Sequence, residues 1–200
     1  MKKVFLAAAL AMVSATSMAA SLGYDSVYAK AGTINADGAD PTAITIGLSK
    51  ELAHNFYGIA EYTNVDFDSL KGLDKSDSYQ LGLGYHTRIH QNIDFYTQAG
   101  IFNETIDELK YDEDLGFVRV GLKIIAAEHL NFDVSYGSTF GSDYAEKKDL
   151  TAKMEYFVSN EFAFGVEYSH QEYLTDYGLF HADGSDDATG KVSFVASYNF

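Results

Sequence analysis

The stretch Val192-Ser-Phe-Val-Ala-Ser-Tyr-Asn-Phe200 decides the fold. One parity holds Val192, Phe194, Ala196, Tyr198 and Phe200, and the other holds Ser193, Ser197 and Asn199. This alternation predicts a β-strand with one large apolar face. A soluble domain seldom leaves such a strand uncovered, because its face and its edge would both promote aggregation. In a membrane barrel the same face meets lipid and the last strand pairs with the first, so the stretch favours a barrel.

The N-terminal residues predict export from the cytoplasm. Met1-Lys2-Lys3 is basic, and residues 4–13 are almost wholly apolar. Ser17 and Ala19 are small residues at the −3 and −1 positions of a cleavage site. The apolar part is too short to span a bilayer. We therefore expect a secretory signal peptide at residues 1–19, with cleavage after Ala20 as the alternative, and a single barrel domain at residues 20–200.

Composition excludes several classes of function. The formal charge is −15, and it becomes −17 without Lys2 and Lys3, with 12 basic against 29 acidic residues. This balance argues against nucleic-acid binding, which needs a basic surface. The chain has no cysteine, so disulfides and thiol chemistry are absent. A content of 15 Tyr and 14 Phe against 1 Pro is typical of a β-rich protein.

Four short turns recur along the chain every 31 to 37 residues. They are Leu52-Ala-His-Asn55, Ile89-His-Gln-Asn92, Ala126-Ala-Glu-His129 and Val158-Ser-Asn160. The spacing fits a strand, a longer loop, a second strand and a tight turn. With a first strand near residues 22–31 and the closing strand, the pattern predicts about ten strands, with eight as the alternative. The predicted long connections are residues 32–41, 66–76, 107–113, 141–148 and 173–187.

The alternation of long and short connections predicts an up-and-down antiparallel transmembrane β-barrel, an all-β fold. A soluble β-sandwich or lipocalin-like barrel would alternate as well. Tyrosines near the strand ends, such as Tyr79, Tyr85 and Tyr156, fit membrane-interface girdles better. An even strand number predicts that both termini are periplasmic and that the long loops are extracellular.

The hairpin segments Ala53-His-Asn-Phe-Tyr-Gly58 and Asn160-Glu-Phe-Ala-Phe-Gly165, with Tyr198-Asn-Phe200, resemble those of small Gram-negative outer-membrane β-barrels. These include the Ail/OmpX-like barrels and the barrel domain of OmpA-like proteins. The resemblance covers the whole mature chain and lies in pattern. Those families have eight strands, whereas this chain is expected to have ten. The resemblance implies a cell outer membrane location, with lipid and lipopolysaccharide as partners. It also implies that Phe200 and Tyr198 form the signal read by the barrel-assembly machinery.

If the apolar face meets lipid, the opposite face lines the lumen and carries a network of charges. Its predicted members are Glu61, Asp94, Arg119, Lys123, Asp133, Lys153, Glu155, Glu167 and Lys191. Unpaired charges in a small lumen are costly, so we expect paired networks that stabilise the barrel. The alternative is a narrow channel for small solutes or ions, with room left by Gly82, Gly84, Gly100, Gly121 and Gly165. Ten strands are too few for a wide pore.

The long loops are acidic, at residues 66–77, 107–114 and 183–187. Their carboxylates could hold divalent cations, although the solvated-loop interpretation is favoured and no metal site or cofactor is predicted. His170 and His181 lie near Asp176, Asp183 and Asp186, as in an omptin-like surface protease. The chain lacks nucleophile and zinc motifs, so we expect no enzyme. The expected role is structural or surface-interactive. A narrow channel is the alternative, and an adhesin or a protease ranks below it.

Overall fold

The computed structural model describes residues 22–35, 40–67, 74–106, 111–141, 146–173 and 189–200. Ten antiparallel strands form a closed barrel in which each strand pairs with its neighbours in the chain and the first pairs with the last. The strands are β1 (Ser26–Asn35), β2 (Thr42–Ala53), β3 (Phe56–Asp66), β4 (Lys75–His90), β5 (Ile93–Ile106), β6 (Tyr111–Ala127), β7 (Leu130–Phe140), β8 (Lys147–Phe157), β9 (Phe162–Tyr173) and β10 (Thr189–Asn199). The predicted ten-strand, up-and-down topology is confirmed. The described segments contain no helix of the length and apolarity needed to cross a bilayer.

The barrel has two unlike ends. We call the end with the tight turns and both terminal segments the turn end, and the opposite one the loop end. At the turn end, two-residue turns join β2 to β3, β4 to β5 and β6 to β7. In the first of these turns, His54 and Asn55 have φ of 52° and 70°, as a type I′ hairpin turn requires. Each of these three hairpins also shifts register just before its turn. The predicted short turns are thus confirmed.

The strands extend further at the loop end than the sequence predicts. Residues 32–35, predicted as loop, continue β1, and residues 111–113 begin β6. In β1 the continuation is held by register pairs with β10 as far as Asn35↔Gly190. At the other end of β1 the prediction was also wrong, because residues 22–25 are not in a strand. Cross-strand pairing, which local composition does not reveal, sets these limits.

Burial alternates along the strands and separates an apolar outside from a polar inside. In β2, exposed Ile44, Ile46 and Leu48 alternate with buried residues that include Thr45 and Ser49. Outward-facing Phe194 is 73% exposed, whereas inward-facing Ser193 is buried. The outer surface therefore carries the large apolar side chains. The inside holds most of the hydroxyl groups and charges, so the interior is where a functional site would lie.

The predicted signal peptide, residues 1–19, lies outside the described residues. So do most of the predicted acidic loops.

Candidate functional site: the barrel interior

The interior contains two cavities that meet. The larger, of about 200 Å³, occupies the turn half of the barrel. The smaller, of about 130 Å³, lies toward the loop end. Both are lined by Glu61, Arg119, Asp149, Gln171 and Lys191, so these side chains form the junction between the cavities. Polar cavities of this size hold a few water molecules or a small solute, and a wide aqueous pore is not present in the described part of the barrel.

All nine charged residues of the predicted network lie on the inward parity of their strands. Eight of them line the larger cavity, and Asp94 is buried beside it near the turn end. In the described part of the chain, only two of the nine residues form an ion pair with each other: Lys153 Nζ lies 2.9 Å from Glu155 Oε2. Glu155 also accepts a hydrogen bond from Ser197 Oγ at 3.0 Å. Six of the other seven charged residues contact partners that were not predicted from the sequence.

Lys30 is the most connected of these additional residues. Its ammonium group lies 3.0 Å from Glu167 and 3.5 Å from Glu61. Tyr28, two residues earlier on the same face of β1, donates a hydrogen bond to Glu61 at 2.8 Å. β1 thus contributes a cation that neutralises two carboxylates from opposite sides of the seam, the junction between β1 and β10 where the barrel closes. The alternation of Tyr28 and Lys30 with Val27, Ala29 and Ala31 was the sequence signal for this arrangement.

Arg119 and Asp94 are also paired with residues outside the predicted set. Arg119 lies 3.4 Å from Asp149, a residue adjacent to a predicted loop and therefore missed. Asp94 is bound by Arg88 at 2.8 Å, and His86 Nδ1 lies 3.5 Å away. Asp133 accepts a hydrogen bond from the Tyr96 hydroxyl at 2.7 Å. Each of these carboxylates thus has a hydrogen-bond or ion-pair partner, as its position in a small lumen requires.

Two lysines of the set lack such a carboxylate. Among the described residues, no carboxylate lies within 4.0 Å of Lys123 Nζ or Lys191 Nζ. Lys123 instead donates a hydrogen bond to the carbonyl of Gly23 at 2.9 Å. Lys191 lines both cavities at their junction. The interior is therefore mostly ion-paired, with two cations left outside the pairs.

The channel interpretation supposed that inward glycines leave room in the lumen, but aromatic rings occupy the space over several of them. Three glycines lie directly opposite a tyrosine on the neighbouring strand, in the pairs Tyr28↔Gly47, Tyr57↔Gly84 and Tyr96↔Gly121. A Cβ on Gly84 would lie 2.1 Å from Tyr57 Cζ, and one on Gly121 would lie 2.4 Å from Tyr96 Cζ. Gly82 and Gly100 likewise make room for the ring of Phe117. The glycines thus allow large rings to fold flat against the wall inside a narrow barrel.

An aromatic layer lies at the turn end of the larger cavity. Its members are Tyr24, Tyr57, His86 and Tyr96. Tyr24 comes from the segment before β1 and stacks on His86 with ring centroids 4.0 Å apart. Burial, together with the nearby Tyr57 and Asp94, raises the pKa of Tyr24 well above the usual value for tyrosine. Its hydroxyl therefore stays protonated at physiological pH, and the layer carries no phenolate charge from this residue.

An apolar layer lies at the loop end of the interior. Phe102, Leu115 and Phe117 are buried in contact with one another, and Ile59 packs against them. The ammonium group of Lys147 lies 4.2 Å from the centre of the Phe102 ring. Phe102 and Phe117 also line the smaller cavity. The polar middle of the barrel is therefore bounded by aromatic side chains on both sides.

The predicted assembly residues lie at the turn end beside the seam. Phe200 donates its backbone N–H to the carbonyl of Asp25 at 3.2 Å, and Lys50 Nζ lies 4.7 Å from its ring centre. Tyr198 packs on Phe162 with ring centroids 4.8 Å apart. Both rings are partly exposed on the outer surface. They are therefore accessible at the outside of the barrel wall.

The loop-end residues that can be described contain acidic side chains engaged with polar neighbours. Asp77 accepts hydrogen bonds from Tyr62 and Asn64. The amide of Asn103 contacts both Asp112 and Asp114. No group of three or more metal-ligating side chains is present among the described residues. His170 lies 3.7 Å from Glu172, whereas the predicted partners at residues 176–186 lie outside the described part of the chain.

Comparison with known proteins finds similar folds among solved structures. No family model and no curated protein matches the sequence. Among solved structures, the NanC porin aligns with a TM-score of 0.53 at 10% identity, over 87% of this chain and all of that one. LpxR from Salmonella typhimurium aligns at 0.48 and 9% identity, over 86% of this chain and all of that one. Ail of Yersinia pestis aligns at 0.36 and 13% identity, over 90% of this chain and all of that one. The chain has the fold of the small outer-membrane β-barrel proteins, in a ten-stranded form.

Proposed function

We propose that this protein spans a Gram-negative outer membrane as a narrow, ion-paired barrel with a structural or surface-interaction role. The observation that carries the proposal is the inverted distribution of side chains, with large apolar groups outside and charges inside. A water-soluble barrel of this size would expose the charges and bury the apolar groups. A bilayer favours the reverse, because lipid covers the apolar belt and paired charges fill the lumen.

The same proposal includes an orientation. An even number of strands places both terminal segments on the side of the tight turns, and outer-membrane barrels have short turns in the periplasm. We therefore propose that the turn end is periplasmic and the loop end extracellular.

Fractionation and surface labelling test location and orientation together. An epitope inserted within residues 174–188 should be detected on intact cells, and the protein should fractionate with the outer membrane. An epitope in the turn at His54–Asn55 is the matched control and should be detected only after the outer membrane is opened. Recovery in the soluble periplasmic fraction would contradict the proposal, and detection of the His54–Asn55 epitope on intact cells would contradict the orientation.

A narrow channel for small solutes or ions is the second candidate. The observation that favours it is the junction of the two cavities at Glu61, Arg119 and Lys191. NanC is described as a porin, but at 10% identity this likeness supports the fold rather than the activity. Single-channel recording in planar bilayers tests it, because Arg119→Glu should abolish or reverse the ion selectivity of a conductance that passes this junction. A silent folded barrel would exclude the channel.

We also propose that the C-terminal strand is recognised during assembly, and that lipopolysaccharide and lipid cover the outer surface. Phe200→Ala should reduce the amount of folded protein in the outer membrane, with Phe164→Ala on the same outer surface as the control.

Three further expectations stay predictions: divalent cations bound at the acidic loops, an adhesive role of residues 173–187, and the absence of enzymatic activity. Loss of a proteolytic activity on His170→Ala or His181→Ala would contradict the last of these.

A further inference from the structure

The segment before β1 turns into the barrel instead of leaving it. Leu22 and Tyr24 are both buried, at 5% and 4% exposure, although no strand includes them. The Tyr24 ring lies 4.0 Å from His86, 4.5 Å from Tyr57 and 6.4 Å from Tyr96, measured between centroids. These partners come from three consecutive strands. The ring thus occupies the middle of the aromatic layer at the turn end.

Side chains of the wall hold the backbone of this segment. Ser49 Oγ donates a hydrogen bond to the Tyr24 carbonyl at 2.6 Å, and Lys123 Nζ donates one to the Gly23 carbonyl at 2.9 Å. Lys123 Nζ also lies 4.2 Å from the centre of the Tyr24 ring, which is cation–π distance. Lys123, one of the two lysines without a carboxylate partner, therefore binds this segment through both its backbone and its aromatic ring.

The next residue fixes the segment to the rim. Asp25 forms an ion pair with Lys50 at 2.7 Å and accepts the backbone N–H of Glu51. Strand β1 begins only at Ser26, where it already pairs with β2 and β10. Removal of residues 22–24 from the mouth would therefore break no strand pairing. The segment is attached to the rim through Asp25, and side chains of the wall contact it at Gly23 and Tyr24.

We propose that Leu22–Tyr24 is a plug that closes the turn end of the lumen and can leave it while the barrel stays folded. Tyr24, with Tyr57, Tyr96 and Lys123, lines the larger cavity, so the plug forms the floor of that cavity. Departure of the plug exposes the cavity to solutes on the side of the termini. The inference rests on the barrel's spanning a bilayer, as proposed above, but it does not require that the lumen conducts.

The test measures access to the cavity with a reporter thiol. The chain has no cysteine, so Ser169→Cys places a single thiol on the wall of the larger cavity. The folded barrel is reconstituted in vesicles, and 2-(trimethylammonium)ethyl methanethiosulfonate is supplied only on the side that holds the termini. Because loss of ring stacking and of the cation–π contact raises the population of the open state, Tyr24→Ala should speed modification about tenfold. Lys123→Met, which removes the hydrogen bond to Gly23, should speed it in the same direction.

Two controls separate the plug from a general loosening of the barrel. In Tyr24→Phe the reporter thiol should be modified at the same rate as in the parent, because the Tyr24 hydroxyl has no hydrogen-bond partner among the described residues. Reagent supplied on the loop side should modify the reporter thiol at the same rate in all variants. Equal rates from the side of the termini in Tyr24→Ala, Lys123→Met and the parent would overturn the plug. Faster modification without conductance in planar bilayers would support the plug and exclude the channel candidate.

Discussion

At the scale of single residues, the interior is built on tyrosines that lie flat over glycines. Three such pairs, Tyr28↔Gly47, Tyr57↔Gly84 and Tyr96↔Gly121, are direct cross-strand neighbours. The sequence showed the glycines on the inward parity but did not show what filled the space over them. The missing information was the register, because pairing a glycine with a particular ring requires knowing which residues are opposite each other.

Adding one methyl group tests this arrangement. In Gly84→Ala the new Cβ would collide with the Tyr57 ring, and we expect a loss of roughly 1–3 kcal/mol of unfolding free energy, as for other overpacked cores. Gly58→Ala is the matched control, because its nearest neighbour would be Leu52 Cδ1 at 3.9 Å. Urea denaturation of the refolded barrel measures both. Equal stability of the two variants would contradict the packing role of Gly84.

The Asp25 contact at the rim predicts a dependence on pH. Partial burial acts to raise the pKa of Asp25, but hydrogen bonds from Lys50 and the Glu51 N–H outweigh it and hold the pKa below 3.8. A lowered carboxyl pKa contributes stability that is present above the unfolded value and is lost as the pH falls through the folded value. Asp25→Asn should therefore reduce stability at pH 7 and have little effect well below pH 3.8.

Denaturant midpoints measured at several pH values check this expectation. Asp40→Asn, at an exposed aspartate at the loop end, is the control for the loss of one surface carboxylate. A deficit of Asp25→Asn that persisted unchanged at low pH would show that the charge of Asp25 is not what matters.

At the scale of elements, β1 contributes more than the sequence analysis assigned to it. Its inward face supplies Tyr28 and Lys30, which join Glu61 of β3 and Glu167 of β9 across the seam. The alternation in β1 is weak because its outward residues include small ones, Ala29 and Ala31. Strands with large apolar side chains were predicted well, whereas this strand was displaced toward the N-terminus by about four residues.

The interior bridge of β1 can be measured by a double-mutant cycle. Lys30→Met leaves Glu61 and Glu167 without their shared cation, so we expect destabilisation by about 3–5 kcal/mol. Lys30→Met combined with Glu167→Gln removes one of the uncompensated charges and should recover part of that loss. Lys75→Met, an exposed lysine at the start of β4, should change stability little. Strict additivity of the Lys30 and Glu167 substitutions would show that the two side chains do not interact.

At the scale of the whole molecule, the parity of apolar residues predicted the closed ten-stranded barrel, because a period of two is a local property. The nine charged residues of the network share the inward parity of their strands, which is likewise a local property. Their partners were mostly not predicted, since Lys30, Arg88 and Asp149 reach them by register or across the lumen. Tyr24 belongs to a segment outside the strands, so no hydrophobic periodicity predicts that its ring lies inside the mouth of the barrel.

The apolar belt predicts a cost that depends on position along the barrel axis. Leu83, in the middle of β4, and Leu52, near the turn end of β2, are equally exposed, at 60% and 61%. In a bilayer, Leu83→Arg should cost about 2–4 kcal/mol, and Leu52→Arg about 0–1 kcal/mol near the interface. Unfolding from lipid vesicles measures both, and detergent offers a comparison without a bilayer midplane. Equal costs in vesicles would argue against a membrane-spanning belt.

The pairing of β1 with β10 has a consequence for how the barrel forms and fails. Nine of the ten strand contacts join neighbours in the chain, and the tenth joins residues such as Ser26 and Asn199 from its two ends. Hairpins close short loops at little entropic cost, but this contact must gather the ends of the whole strand series. We therefore expect the β1–β10 junction to form last during folding and to separate first under strain. The hydrogen bond from the Phe200 N–H to the Asp25 carbonyl lies at this junction, so its loss should favour opening of the barrel there.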